Sequence, residues 1–165
     1  MNERRKLINW MAGVTTFIVV LLIVIVLLDR EEDGVSLAAA SRTVALTLES
    51  GDGILENAPE TSNFDGDLSD QWYVKYMDYL YGQGYLDSGS VKADERSATS
   101  AVTYAVLSDW AKKASEEGKG ETDALLSYVD SGDRAKKAVS SENFWKFYDA
   151  FRAAVDPDRA VAEVE

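Results

Sequence analysis

Residues 7–28 read LINWMAGVTTFIVVLLIVIVLL, a stretch with no charged side chain, interrupted only by Asn9, Thr15 and Thr16. Its second half, Phe17 to Leu28, is unbroken Phe, Ile, Val and Leu. Wound as an α-helix at about 1.5 Å per residue it is about 33 Å long, enough to cross a hydrocarbon core of roughly 30 Å. A helix apolar on every side has no face to offer water, which argues for lipid rather than a protein core around it. Trp10 falls near one end, where an amphipathic indole favours the membrane interface. The stretch predicts a transmembrane helix over 7–28.

The flanks set its orientation. Arg4, Arg5 and Lys6 precede the span, and Asp29, Glu31, Glu32 and Asp33 follow it with only Arg30 among them. The positive-inside bias predicts a cytoplasmic tail over 1–6 and an extracytoplasmic chain from Asp29 onward. The competing reading is a cleaved signal peptide. Such peptides have apolar cores of about 7–15 residues, closely followed by a small-residue cleavage site. Here the run is longer, and Ala38-Ala39-Ala40 comes only after the acidic stretch.

The 165 residues carry 17 Lys and Arg against 29 Asp and Glu, a net charge of −12. Since residues 1–6 are net basic, the acidity lies beyond the span. Such a surface repels phosphate backbones and anionic headgroups, so nucleic acid is not an expected partner and lipid is met through 7–28. There is no Cys and no His. Disulfide staples, zinc sites built on Cys or His, His-based proton transfer and Cys nucleophiles are thereby excluded. No Ser-x-x-Lys, Gly-x-Ser-x-Gly or phosphate loop occurs. Carboxylates abound, but no motif selects a pair for glycoside hydrolysis. Asn63, Asp65, Asp67 and Asp70 have a calcium-loop flavour, yet an EF-hand register from Asn63 needs Gly and Glu where Leu68 and Val74 stand. The expectation is a non-catalytic protein without cofactor or metal.

Beyond a linker over 29–34, the periodicity predicts an extracytoplasmic helical domain over 35–156 and a tail over 157–165. The fold class is mainly α, one transmembrane helix followed by a small helical domain. Helix is predicted over 35–48, with Ser36 as N-cap; the rival is a strand over 43–48, where Val44, Leu46 and Leu48 alternate with Ala45 and Thr47. Ser50-Gly51-Asp52-Gly53 reads as a stop, and 51–70 as a loop. Ser69 or Asp70 is the expected cap of an aromatic helix with Trp72, Tyr73, Tyr76, Met77 and Leu80 on one face, Lys75 and Asp78 pointing away, and Gly82 and Gly84 at its end. A helix over 98–113 carries Val102, Val106, Leu107, Trp110, Ala111 and Ala114, and Gly118-Lys119-Gly120 breaks it. A short helix follows over 122–129, capped by Thr122 or Asp123, then a turn at 130–133 and a helical stretch over 134–139. The last helix starts at Ser141 and places Phe144, Trp145, Tyr148, Phe151 and Val155 in one stripe up to Pro157.

Phe64-Asp65, Asp70-Gln71-Trp72-Tyr73, Tyr76, Leu80, Gly84-Tyr85-Leu86, Val91-Lys92-Ala93-Asp94-Glu95 and Thr99-Ser100-Ala101-Val102 follow one another in a recognisable order. Residues 35–113 resemble the S-layer homology (SLH) modules that tether proteins to bacterial cell-wall polymers. In that family an aromatic helix follows an Asp-containing loop, and a second helix opens with Thr-Arg-Ala-Glu. The resemblance implies a helical module that contacts the cell wall. Val35-Ser36-Leu37-Ala38-Ala39 is similar to the same element of a preceding, truncated unit, and Thr103-Tyr104-Ala105 matches the motif nearly as well as Thr99. The chain departs where the family binds: the motif's Arg is Ser100 or Leu37, and its Glu is Val102 or Ala39. Beyond Gly118 there is only an echo of residues 73–78 in 144–149.

Trp72, Tyr73, Tyr76 and Trp110 are the candidate surface for a glycan or for another envelope protein. Helical spacing also fits them to a core, and a domain this small leaves some large rings exposed. Protease added to intact cells is expected to digest the acidic portion and leave a protected fragment containing 7–28, read on a blot with an N-terminal tag. Full protection, or a shed and shortened product, would overturn the topology.

Overall fold

Ser36 starts the first helix, α1 (Leu37–Leu48), by accepting a hydrogen bond from the Ala39 amide. The helix wins over the strand reading because Leu37, Ala38, Ala40, Ser41, Val44 and Ala45 bury one helical face, which a two-residue period would split between two sides. The computed structural model describes residues 34–89, 91–135 and 138–157. The predicted span over 7–28, the tail over 1–6 and residues 158–165 lie outside the described residues. Among the described residues no helix is long and apolar enough to cross a membrane.

After α1 come α2 (Gly51–Glu56), a 3-10 turn at Gly66–Leu68, α3 (Val74–Gly82), α4 (Glu95–Thr99), α5 (Tyr104–Glu116), α6 (Thr122–Leu126), α7 (Ser131–Ala135) and α8 (Ser141–Val155). The domain is mainly helical, with no strand among the described residues. The helix α1 is the hub and packs against α2, α3, α4 and α8, while α5 packs against α6 and α8. Its side chains explain this: Ala38, Ala40, Ser41 and Ala45 are small enough to let neighbours approach on several sides.

Three of these helices start alike, on a valine followed by a hydroxyl cap. Ser36, Thr103 and Ser140 each accept, through the side-chain oxygen, an amide bond from three residues on. Each is preceded by a valine, and the valines are tied together by main chain. The Val102 amide donates to the Val35 carbonyl at 2.8 Å, the Val139 amide to the Val102 carbonyl at 2.9 Å, and the Leu37 amide to the Ser100 carbonyl at 2.8 Å. An isolated antiparallel bridge, Ser36 with Ala101, marks the same junction. Each side-chain cap is worth about 1 kcal/mol.

The structure departs from the sequence reading in several places. Residues 51–56 are helical because Ser50 caps them and Ile54 is fully buried, so the Gly-rich stretch is a start as well as a stop. Neither Ser69 nor Asp70 caps the aromatic helix. The chain enters it through short turns, Gln71 amide to Leu68 carbonyl and Val74 amide to Gln71 carbonyl, and α3 begins at Val74 without a side-chain cap. The helix expected over 98–113 is two helices, α4 and α5, separated by extended residues that join the junction. Glu121, not Thr122 or Asp123, stands at the start of α6. The helix over Ser131–Ala135 begins inside the turn expected at 130–133.

Asp78 does not point to water. Its side chain is 5 % exposed, and its carboxylate accepts from the Ser62 hydroxyl, the Asn63 amide at 2.9 Å and the Asn63 side-chain amide at 3.0 Å. The loop before α3 is thus fixed to α3 by one acid. Asp133 repeats the arrangement, accepting from the Ser140 amide, the Ser140 hydroxyl and the Asn143 side chain. Arg134 donates to the Val129 and Leu126 carbonyls at the end of α6. The core between these loops is built on Trp110, Phe144, Phe147, Phe151, Met77, Leu80 and Leu107, all fully buried. Gly84, Gly118 and Gly120 hold φ of 75°, 74° and 93°, and they end α3 and α5 where a side chain would be strained.

Replacing Asp78 by Ala leaves three buried or half-buried donors without their acceptor. The expected loss is about 2 kcal/mol of unfolding free energy, measured by urea titration of the full chain. A loss below a few tenths of a kcal/mol would show that the loop is not held by this carboxylate.

Candidate functional site

The residues at i, i+3, i+4, i+7 and i+8 along α1, namely Ala39, Arg42, Thr43, Leu46 and Thr47, form a stripe that its packing partners leave uncovered. Together with Trp72, Tyr148 and Arg152 they line a cleft of about 390 Å³. The wall opposite Trp72 comes from α8, on which Tyr148 and Arg152 are four residues apart and share a face.

Two threonines shape the floor. The Thr43 hydroxyl donates to the Ala39 carbonyl at 2.9 Å, and the Thr47 hydroxyl to the Thr43 carbonyl at 3.0 Å. Thr47 Oγ1 also lies 2.9 Å from the Tyr148 hydroxyl. Since its one proton is spent on the Thr43 carbonyl, Tyr148 is the donor in that pair. The phenol is thereby fixed to α1, and its ring stacks at 12° on Phe144 and meets Trp145 edge-on. Trp72 stands edge-on to Tyr73 at 5.7 Å and is 51 % exposed.

The electrostatics run against the rest of the molecule. In a chain of net charge −12 the cleft is lined by two guanidinium groups and by no carboxylate. Arg42 is the only charged residue of α1. Its guanidinium sits 5.8 Å from the Tyr76 ring centroid, and Lys75 lies over the same ring at 5.0 Å. Among the described residues no carboxylate forms an ion pair with Arg42.

Of the four residues singled out from the sequence, Trp72 lines the cleft and Tyr76 stands beside it through Arg42. The other two are corrected. Tyr73 is 4 % exposed and Trp110 is fully buried, so neither can be surface. Both rings were drawn inward by apolar area although the Tyr73 hydroxyl and the Trp110 indole N–H meet no acceptor there. The sequence reading missed Arg42, Thr43, Thr47 and Arg152 as lining residues. The available signal was a lone cation on an otherwise uncharged helix. Among the described residues no three metal-binding side chains converge, and Asn63 serves Asp78.

Chemically the cleft offers groups suited to recognition. Guanidinium groups bind carboxylate or phosphate through paired hydrogen bonds, the exposed indole takes a flat apolar face, and hydroxyls take polar edges. The start of α5 bears on the motif register as well. Thr103 caps that helix, whereas Thr99 ends α4, so Thr103-Tyr104-Ala105 is the one at a helix start. In this register the places of the family's Arg and Glu are taken by Tyr104 and Val106. Comparison with protein-family models, with curated proteins and with solved structures finds no match for this chain.

The Thr47–Tyr148 pair fixes the cleft's shape, and it can be isolated by a double-mutant cycle. Thr47→Val and Tyr148→Phe are each expected to cost about 1 kcal/mol, and the double variant less than their sum by a similar amount. Strict additivity would mean the two hydroxyls are not coupled.

Proposed function

We propose that this chain is a non-catalytic, single-pass membrane protein whose extracytoplasmic helical domain holds an anionic polymer of the cell wall. The observation that carries the reading is the cleft between α1, Trp72 and α8, where Arg42 forms no ion pair among the described residues and Trp72 is exposed. A negatively charged glycan repelled by the rest of the surface finds there the Arg42 guanidinium and an indole face. Guanidinium to carboxylate or phosphate supplies the charged anchor, and stacking on Trp72 supplies orientation.

Two further features support it. The capped starts of α1, α5 and α8, joined through Val35, Val102 and Val139, agree with a module that repeats one helical unit, as the SLH resemblance implies. The loss of the family's motif Arg is compatible with binding because Arg42 and Arg152 place their cations on a different face. The span over 7–28 anchors the domain in the membrane, so that a wall contact bridges the two layers. A second reading is a protein-binding assembly or regulatory subunit of an envelope complex; exposed Trp145, edge-on to Tyr148, favours it as an aromatic contact beside the cleft. Residues past Glu165, if the natural chain continues, would add the possibility of a larger cell-wall enzyme.

The test is co-sedimentation of the full chain, in detergent micelles, with purified cell walls. Retention is expected to exceed a denatured control and to fall at least tenfold in Arg42→Ala and Trp72→Ala. It should also weaken as salt rises. Absence of retention, together with cross-linking in membranes to one stoichiometric protein, would replace the wall reading by the envelope-complex one.

A further inference from the structure

The segment between α4 and α5 carries a second recess, chemically unlike the first. Lys92, Arg96, Ser97, Ser100 and Thr103 rim a groove of about 280 Å³ whose floor includes Leu37, Val91, Val102 and Val106. Again no carboxylate lines it, although the chain is strongly acidic. Two acids, Asp94 and the exposed Glu95, adjoin these cations in sequence; the Asp94 carboxylate accepts from the Ser97 amide at 2.7 Å, and hydrogen bonds from Ser97, with the charges of Lys92 and Arg96, hold it below the usual carboxylate range.

The main chain of this segment has a free edge. Ser100 and Thr103 are extended, with ψ of 153° and 158°. On one side the segment is paired, through the Ser100 carbonyl to Leu37 and the Val102 amide to Val35. In an antiparallel pair, N–H and C=O of alternate residues point to opposite sides. Ala101, paired with Ser36 in the non-bonded position, therefore turns its amide and carbonyl away from α1, and neither meets a main-chain partner among the described residues. The Thr103 amide, two residues on, has no main-chain acceptor there either. Ala101 and Thr103 both line the groove.

We propose that this groove receives an extended acidic peptide segment of a partner protein, which adds as a short strand to the Ala101 edge. Two donors and one acceptor of the main chain pair with the peptide backbone, one face of the peptide sets small apolar side chains on Val102 and Val106, and the acidic side chains reach Lys92 and Arg96. A peptide fits better than a glycan here, because the groove has no exposed ring for a sugar to stack on and presents the amide and carbonyl spacing of a strand. The site is separate from the cleft between α1 and α8 and does not depend on what that cleft binds.

The probe is a fluorescein-labelled eight-residue peptide of alternating Val and Glu, titrated against the full chain in detergent and read by fluorescence anisotropy. Saturable binding is expected, weakened at least tenfold by the double variant Lys92→Glu, Arg96→Glu, with circular dichroism verifying that the variant stays helical. The same peptide N-methylated at every second residue is expected to bind at least tenfold more weakly, since its backbone donors are gone. Equal binding of the N-methylated peptide would overturn strand addition, as would no saturable binding at all. Complete displacement by an anionic polysaccharide at the same charge concentration, with N-methylation without effect, would make the groove a glycan site and also overturn the proposal.

Discussion

The main-chain hydrogen bonds among Val35, Leu37, Ser100, Val102 and Val139 are the constraint on which the rest of the domain depends. They join the starts of three helices that are far apart in the chain, and each helix can then run outward with its buried face toward the others. This junction fixes the start of α1 relative to the starts of α5 and α8. A helix as short of charge as α1 is stable only when packed, because most helical stability in proteins comes from tertiary burial of an apolar face. The junction supplies the geometry, and Ala38, Ala40, Val44 and Ala45 supply the contact.

The same hub creates the cleft. Because α1 is held by α3 and α4 on some sides and by α8 on another, one stripe of its surface is left uncovered between Trp72 and Tyr148. Small residues and threonines on that stripe keep it concave. The acids of the domain lie elsewhere, several of them engaged as caps or loop ties: Asp94 at α4, Asp78 under the loop before α3, Asp133 at the start of α8. Cations gathered in a recess on such a surface act as a local reversal of sign, which favours anions there. Tyr85, pushed up by burial and by its hydrogen bond to Glu117, shows the opposite use of charge, a carboxylate closing the end of α5 against α3.

Much of the fold was legible in the sequence. The spacing of Val106, Leu107, Trp110, Ala111 and Ala114, and of Phe144 and Phe151, marks buried helical faces, and every one of these residues is in the core; Trp145, expected in the same stripe, is exposed, and Phe147 is buried in its stead. The cap at Ser36 was legible for the same reason, since a hydroxyl ahead of a helical run satisfies amides within its own turn. The break at Ser100 to Thr103 was not. Nothing in that stretch forbids helix, and it is extended because the Ser100 carbonyl and the Val102 amide and carbonyl are taken by Leu37, Val35 and Val139, residues that no local pattern brings together. Val35-Ser36, Val102-Thr103 and Val139-Ser140 do repeat one pattern, and reading it as a repeat would have located the junction.

The sequence by itself determined the helical class, the apolar faces, the acidity and the absence of Cys and His chemistry, because each of these follows from residue type and spacing along one segment. Tertiary structure alone decided which aromatic rings face water. Trp72 and Tyr73 are neighbours of similar character, and only the position of Phe64, edge-on to Tyr73 at 5.9 Å, turns one inward while the other is left at the cleft. Asp78 was likewise settled by a loop that reaches back from Ser62 and Asn63. Burial is a property of what the rest of the chain places around a side chain, and local periodicity does not contain that.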